Sequence, residues 1–155
     1  MKKLWIAGIA MLMVGCSTAT TYHARDFQGE GYGDYRLSEN RFTVTFRANE
    51  YTEPEDVRKF ALRRASEVAT NYGFRYFTVE DERDLTRKSI VKTTEERETS
   101  FWDLLDGKED AQTRTVERER EISKPAMELL IQCYHEKPKK GVIDAYQFLA
   151  YQASP

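Results

Sequence analysis

The chain has 155 residues, of which 40% are hydrophobic and 32% are charged, and its formal net charge is −2. This length predicts one globular domain, because two would leave each with little apolar surface to bury. Acidic and basic residues are mixed along most of the chain. Nucleic-acid binding needs a basic surplus clustered on one face, so we expect no nucleic-acid partner.

The N-terminal sequence MKKLWIAGIAMLMVGC has the layout of a bacterial secretion signal. Lys2 and Lys3 precede an apolar stretch over residues 4–14. A membrane-spanning helix needs about 20 residues, so this stretch is too short to be one. Its length fits the hydrophobic region of a signal peptide, which has roughly 7–15 residues. A buried first helix of the domain is the alternative, and the lack of polar residues within the stretch argues against it. We predict a signal peptide over residues 1–15.

The last residues of this segment, MVGC, resemble the lipobox of bacterial lipoproteins, in which small residues precede an acceptor cysteine. Leu is the usual residue where Met13 stands. The resemblance implies that a diacylglyceryl group is attached to the Cys16 sulfur and that signal peptidase cleaves between Gly15 and Cys16. It also implies acylation of the new amino group, for example with palmitate. Ser17 stands where Asp would favour the inner membrane, which implies the outer membrane with the domain facing the periplasm.

Residues 16–30 are small and polar without apolar periodicity, which predicts a flexible tether between the lipid and the domain. The chain has two cysteines. If Cys16 carries lipid, Cys133 has no partner for an intramolecular disulfide, even in an oxidising periplasm. We therefore expect Cys133 to be a buried apolar residue.

The first half of the domain, which we place at residues 31–153, predicts a β-hairpin and a long helix. Alternating residues over 41–47 predict a strand with one buried face, preceded by a short strand over 34–37. In the helix that follows, Thr52 and Glu55 have capping-box spacing, and Gly73 suits a left-handed C-terminal cap. Its apolar stripe comprises Val57, Ala61, Ala65, Val68 and Tyr72, with Phe60 beside it.

The second half predicts a strand over 74–82, a charged excursion over 81–112 that is part hairpin and part loop, and a long twisted strand over 112–122. Residues 126–136 are apolar on both faces, which predicts a central strand. A C-terminal helix follows, with Asp144 and Gln147 at capping-box spacing. The order β-β-α-β-β-β-α predicts a single α+β domain with an antiparallel or mixed sheet and helices on one face.

Cys133 and His135 form the one pair that suggests chemistry. They stand two apart on a predicted strand, so they could point the same way as a nucleophile and its base, or as two metal ligands. Their face continues the apolar side of the strand, and no third ligand or orienting carboxylate follows at a suitable spacing. The sequence therefore favours a structural role, and we expect no catalytic residue, metal or cofactor. A small-ligand-binding or enzymatic domain that uses this pair is the alternative.

The sequence SFWDLLDG is the apolar part of the charged excursion. If exposed, its large side chains could dock a partner protein or enter a lipid interface. The alternative is that they fold back over the sheet. The four candidate contact residues are Phe101, Trp102, Leu104 and Leu105.

The central segment resembles the CC-locus type of small bacterial lipoproteins. The matching residues are Gly31, Tyr32, Asn40, Arg41, Phe42, Val44, Phe46, Asn49, Thr52, Leu62, Arg64, Ala65, Glu67, Gly73, Phe74 and Phe77. The late segment HEKPKKGVIDAYQFL resembles the family's Lys-Pro loop and following helix. Two features depart from the pattern: Ala48 stands where Gly is common, and the excursion is charged where relatives are rich in Gly and aromatics. The resemblance implies a lipoprotein and no reaction. Together with the anchor, the complete fold and the lack of a catalytic constellation, this predicts a non-enzymatic envelope protein that binds another envelope protein or forms part of an assembly.

Overall fold

A computed structural model describes residues 18–96 and 115–152 of the chain. The predicted signal peptide over 1–15, its cleavage site and lipid acceptor Cys16, and the candidate contact residues Phe101, Trp102, Leu104 and Leu105 lie outside the described residues. Within the described ranges no helix is long and apolar enough to cross a membrane.

The described residues form the predicted α+β single domain. In chain order the elements are β1 (Gly31–Arg36), β2 (Arg41–Arg47), α1 (Pro54–Asn71), β3 (Tyr76–Asp84), β4 (Arg87–Glu96), β5 (Thr115–Lys124), β6 (Ala126–Tyr134), β7 (Val142–Asp144) and α2 (Ala145–Gln152). Five strands make one antiparallel sheet in the order β1-β2-β6-β3-β7, and β4 pairs with β5 alone. The order of elements predicted from the sequence lacked β4 and β7, because β4 is charged and β7 has only three residues.

The core lies between the sheet and α1. The apolar residues of β2 alternate as predicted, and Phe42, Val44 and Phe46 are fully buried. Strand β6 is central, as predicted from its apolar content, and it buries Leu129 and Ile131 on the same side. The opposite face of the sheet is open and carries half-buried polar and apolar side chains, among them Thr43, Thr45 and Leu130.

The predicted stripe of α1 is confirmed at Val57, Ala61, Ala65 and Val68, which are buried, whereas Tyr72 lies just past the helix and is exposed. The helix also packs against α2. Three further helix residues outside the predicted stripe are buried: Leu62, Ser66 and Ala69.

The predicted capping box at the start of α1 is wrong. The N-cap is Glu53, whose side chain makes no cap hydrogen bond. Thr52 is buried instead, where its hydroxyl donates to Asn49 Oδ1 (3.0 Å) and accepts from the Thr20 N–H (2.8 Å). The Thr52 hydroxyl therefore bonds to a distant segment, although the local pattern assigned it to the end of the helix. The left-handed cap is confirmed, since Gly73 has φ +82°.

Several residues of the 16–30 segment, which the sequence predicts to be a flexible tether, make contacts with the domain. Asn49 Nδ2 donates to the Thr18 carbonyl at 2.9 Å, and the Asn49 N–H donates to Thr20 Oγ1 at 2.9 Å. Thr20 is buried. The contacts come from single residues with no periodic spacing, which is why the sequence pattern did not indicate them.

Tyr22 continues this docked segment and adds an aromatic side chain to the edge of the core. Its ring centroid lies 4.8 Å from that of Tyr32 and 5.8 Å from that of Phe60. Its hydroxyl donates to Glu67 on α1. Burial of the phenol, followed by this hydrogen bond and the Glu67 charge, raises the pKa of Tyr22 above its usual range. Tyr22 thus links the N-terminal segment to both the sheet and the helix.

Strands β3 and β6 continue past the sheet as β4 and β5. The Leu85 N–H donates to the Ala126 carbonyl at 2.8 Å, at the point where the sheet ends and the β4–β5 pair begins. We call this pair, residues 87–96 and 115–124, the ribbon. Residues 87–94 and 117–121 are exposed. The prediction of a long strand that reaches past the sheet is confirmed for the described residues, Thr115–Lys124, and its partner is β4.

Candidate functional site

The ribbon separates its charges by sign onto two faces. The sequence EREREI, residues 117–122, alternates acidic and basic residues along β5. Since successive side chains of a strand point to opposite faces, the glutamates share one face and the arginines share the other. The charged sequence of β5 therefore forms two surfaces that differ in the sign of their charge, and not one uniformly solvated strand face.

The acidic face of the ribbon consists of Glu117, Glu119 and Glu121 with Lys88 and Lys92 opposite. Lys88 Nζ lies 3.4 Å from Glu121, and Lys92 Nζ lies 3.1 Å from Glu119 and 3.5 Å from Glu117. All five side chains are exposed, and exposed pairs contribute only about 0.2–1 kcal/mol each. These pairs support the register of the ribbon but hold it only weakly.

The basic face of the ribbon consists of Arg87, Arg118, Arg120 and Lys124. Arg87 is directly opposite Lys124 in the strand register, and Arg120 is opposite the apolar residue Val91. Like charges directly opposite each other destabilise a strand pair. An anion placed between Arg87 and Lys124 would relieve that repulsion.

A small pocket lies where the basic face meets the sheet. Arg47 at the end of β2, Arg87 and Lys124 line it, together with the segment 28–30. Its volume of ≈ 70 Å³ is little more than two water molecules at about 30 Å³ each, which suits a group the size of a phosphate. We call it the basic pocket.

The electrostatics of the basic pocket favour an anion. Burial, followed by the positive charges of Arg87 and Arg25, lowers the pKa of the Arg47 guanidinium from its usual value, and the Glu128 carboxylate opposes this effect. Two other carboxylates are close. Glu30 accepts the Thr20 hydroxyl at 2.9 Å, and Glu50 lies 3.9 Å from Lys124 Nζ. These carboxylates reduce the positive charge of the pocket.

Comparison with protein-family models, with curated protein sequences and with solved structures gave no significant match. The resemblance to the CC-locus type of lipoprotein therefore stays a prediction.

Cys133 and His135, the pair that the sequence suggested, differ in their burial. Cys133 is fully buried on β6, whereas His135 lies past the end of β6 and is exposed, with its ring 4.6 Å from that of Phe74. Both residues line a surface pocket of ≈ 360 Å³. Burial raises the pKa of the Cys133 thiol to about 12, so it stays neutral at pH 7 and is a weak nucleophile. Among residues 18–96 and 115–152, no group of three or more His, Cys, Asp or Glu residues could hold a metal ion.

We expect the Cys133 thiol to resist modification in the folded protein. In a Cys16→Ser chain at pH 8, a thiol reagent should label less than a tenth of Cys133 under native conditions, and all of it after denaturant is added, as measured by mass spectrometry. The physical reason is that the thiol is both inaccessible and un-ionised. Full labelling of the native chain would instead support the alternative of a reactive Cys133–His135 pair.

The basic pocket was not found from the sequence. The alternation of Glu and Arg over 117–121 was visible, and the strand period alone would have placed the arginines on one face. That face meets Arg47 because β2 pairs with β6. No local sequence pattern indicates this pairing.

Proposed function

We propose that this protein is a lipoprotein anchored through Cys16 to the outer membrane, with its domain facing the periplasm, and that it works by binding another envelope protein. The lipobox-like MVGC sequence supports the anchor. The ribbon carries the binding part of the proposal, because its strands project past the sheet and expose both faces.

The energetics of the ribbon favour a binding role. A two-stranded ribbon is marginally stable in water unless another surface packs against it. Ile90, in the middle of the acidic face, is 67% exposed. The ribbon gains little by folding alone, so a partner that covers this apolar residue and pairs with the surrounding charges would stabilise it.

A second candidate function is a small-ligand-binding or enzymatic domain that uses Cys133 and His135. One observation favours it, the ≈ 360 Å³ pocket that both residues line. The buried, un-ionised thiol disfavours it. The labelling experiment on Cys133 decides between the two.

The anchor is tested by a Cys16→Ser variant. We expect the wild-type chain to fractionate with membranes and to carry the mass of a diacylglyceryl group, and the variant to lose both properties. Membrane fractionation and intact-protein mass spectrometry measure the two. A variant that stays with membranes at an unchanged mass would show that Cys16 is not the anchor.

Crosslinking tests the protein-binding part of the proposal. In envelopes that contain the wild-type chain, crosslinking should capture a specific protein. A Glu119→Lys, Glu121→Lys variant on the acidic face should lose that capture. A Glu53→Lys, Glu55→Lys variant at the start of α1, with the same change in charge, should keep it. If nothing specific is captured from wild-type envelopes, or if both variants behave alike, the ribbon is not the binding surface.

A further inference from the structure

The end of the sheet that receives the N-terminal segment is the end closest to the proposed anchor. Thr18 and Thr20 are hydrogen-bonded to Asn49, just after β2 ends. Cys16 is two residues before Thr18, and two residues span at most about 7 Å. If Cys16 carries the lipid, as proposed above, this end of the domain lies within a few ångströms of the lipid headgroups.

The ribbon leaves the sheet at this same end. The Ala48 N–H donates to the Pro125 carbonyl at 2.9 Å, which joins the β2–α1 loop to the junction between β5 and β6. Arg47, Arg87 and Lys124 line the basic pocket at this junction. The docked N-terminal segment and the basic pocket are therefore neighbours.

We propose that Arg47, Arg87 and Lys124 bind phosphates of anionic phospholipid headgroups, so that the basic face of the ribbon lies on the membrane that holds Cys16. Arginine is suited to this role because its planar guanidinium can donate two hydrogen bonds to one phosphate. Attraction between basic side chains and an anionic membrane decays within a Debye length, about 8–10 Å at moderate salt. The short link to Cys16 keeps this end of the domain close to the membrane surface.

Acidic residues near this end oppose the attraction. Glu30 lines the basic pocket, Glu50 lies 3.9 Å from Lys124 Nζ, and the Glu128 charge acts on Arg47, whereas a further acidic group lies on the other side of the sheet. Glu53, Glu55 and Asp56 belong to the start of α1, which packs on the core face, and Arg47 lies on the open face. With the basic face on the membrane, the acidic face of the ribbon points to the periplasm. That orientation leaves the acidic face free for the protein partner proposed above.

The test attaches the protein to vesicles by a route that does not depend on natural lipidation. A chain that starts at Cys16 contains the whole buried core. Its Cys16 thiol is coupled to a maleimide lipid, while Cys133 is buried and stays unlabelled. The vesicles contain phosphatidylcholine with or without phosphatidylglycerol. An Arg-specific protease then reports access to Arg118 and Arg120 on the basic face of the ribbon.

We expect cleavage in the ribbon to be at least about tenfold slower on phosphatidylglycerol vesicles than on phosphatidylcholine vesicles, since three cations reach the anionic surface. An Arg47→Gln, Arg87→Gln, Lys124→Gln variant should lose this difference. A control with the same charge change at the other end of the sheet, Lys137→Gln, Lys139→Gln, Lys140→Gln, should keep it. Circular dichroism checks that both variants are folded.

Equal cleavage of the wild-type chain on both kinds of vesicle would overturn the proposal. So would a difference that persists in the Arg47, Arg87 and Lys124 variant. If inorganic phosphate protects the uncoupled chain to the same degree, the pocket binds free phosphate and the membrane assignment is wrong. Because the coupling is chemical, each of these results is independent of whether Cys16→Ser changes anchoring in cells.

Discussion

Replacement of Phe46 by Ala is expected to lower the free energy of unfolding by about 3–5 kcal/mol. Phe46 is fully buried on β2. Its ring lies 4.9 Å from that of Phe60 on α1 and 6.3 Å, nearly parallel, from that of Tyr22. Truncation leaves a cavity between the sheet, the helix and the N-terminal segment, and these three elements cannot all collapse into it. Small domains have only about 5–15 kcal/mol of stability, so this variant should be close to unfolding at 37 °C.

Urea unfolding followed by circular dichroism measures this effect. The matched control is Ile90→Ala, which also removes a large apolar side chain. Ile90 is exposed on the ribbon, so its loss should change the free energy of unfolding by less than about 0.5 kcal/mol. Similar midpoints for the two variants would mean that Phe46 does not lie in the core.

Replacement of Gly31 by Ala is expected to lower the free energy of unfolding by about 3 kcal/mol, the upper part of the range for a strained backbone position. Gly31 has φ +101°, and a Cβ atom there would lie 2.6 Å from the His23 carbonyl oxygen and 2.9 Å from that of Ala24. These oxygens belong to the backbone of the docked segment, so they can move only if the segment leaves β1.

Gly73→Ala is the control that separates strain from collision. Gly73 also has a positive φ, +82°, but nothing lies within 4 Å of its added Cβ. We expect a loss of about 1–2 kcal/mol there. Only Gly31→Ala should also speed hydrogen exchange of the Arg25 amide, which donates to the Tyr32 carbonyl at 2.9 Å. Equal effects at the two glycines would contradict the docking of residues 22–25.

The elements that the sequence predicted correctly are those whose pattern is local. The alternation over 41–47, the stripe from Val57 to Val68 and the apolar faces of 126–134 all record which side of an element is buried, because burial repeats with the period of the backbone. The cap of α2 is also local: Asp144 Oδ1 accepts from the Gln147 N–H at 3.1 Å. The candidate anchor at Cys16 was predicted in the same way, from neighbouring residues, and stays a prediction.

Other features of the fold depend on contacts between distant residues, which appear in the folded structure and in no local sequence pattern. The Thr52 hydroxyl accepts a hydrogen bond from Thr20, 32 residues away, and does not cap the helix. Tyr22 packs at the core as a single aromatic side chain, without a repeating pattern around it. The basic pocket needs Arg47 and Arg87 to meet through the pairing of β2, β6 and β5. A single side chain has no period to detect, and the sequence does not state which strand lies beside which. In this protein the apolar faces follow from local sequence patterns, and the folded chain brings the distant charges and hydroxyls together.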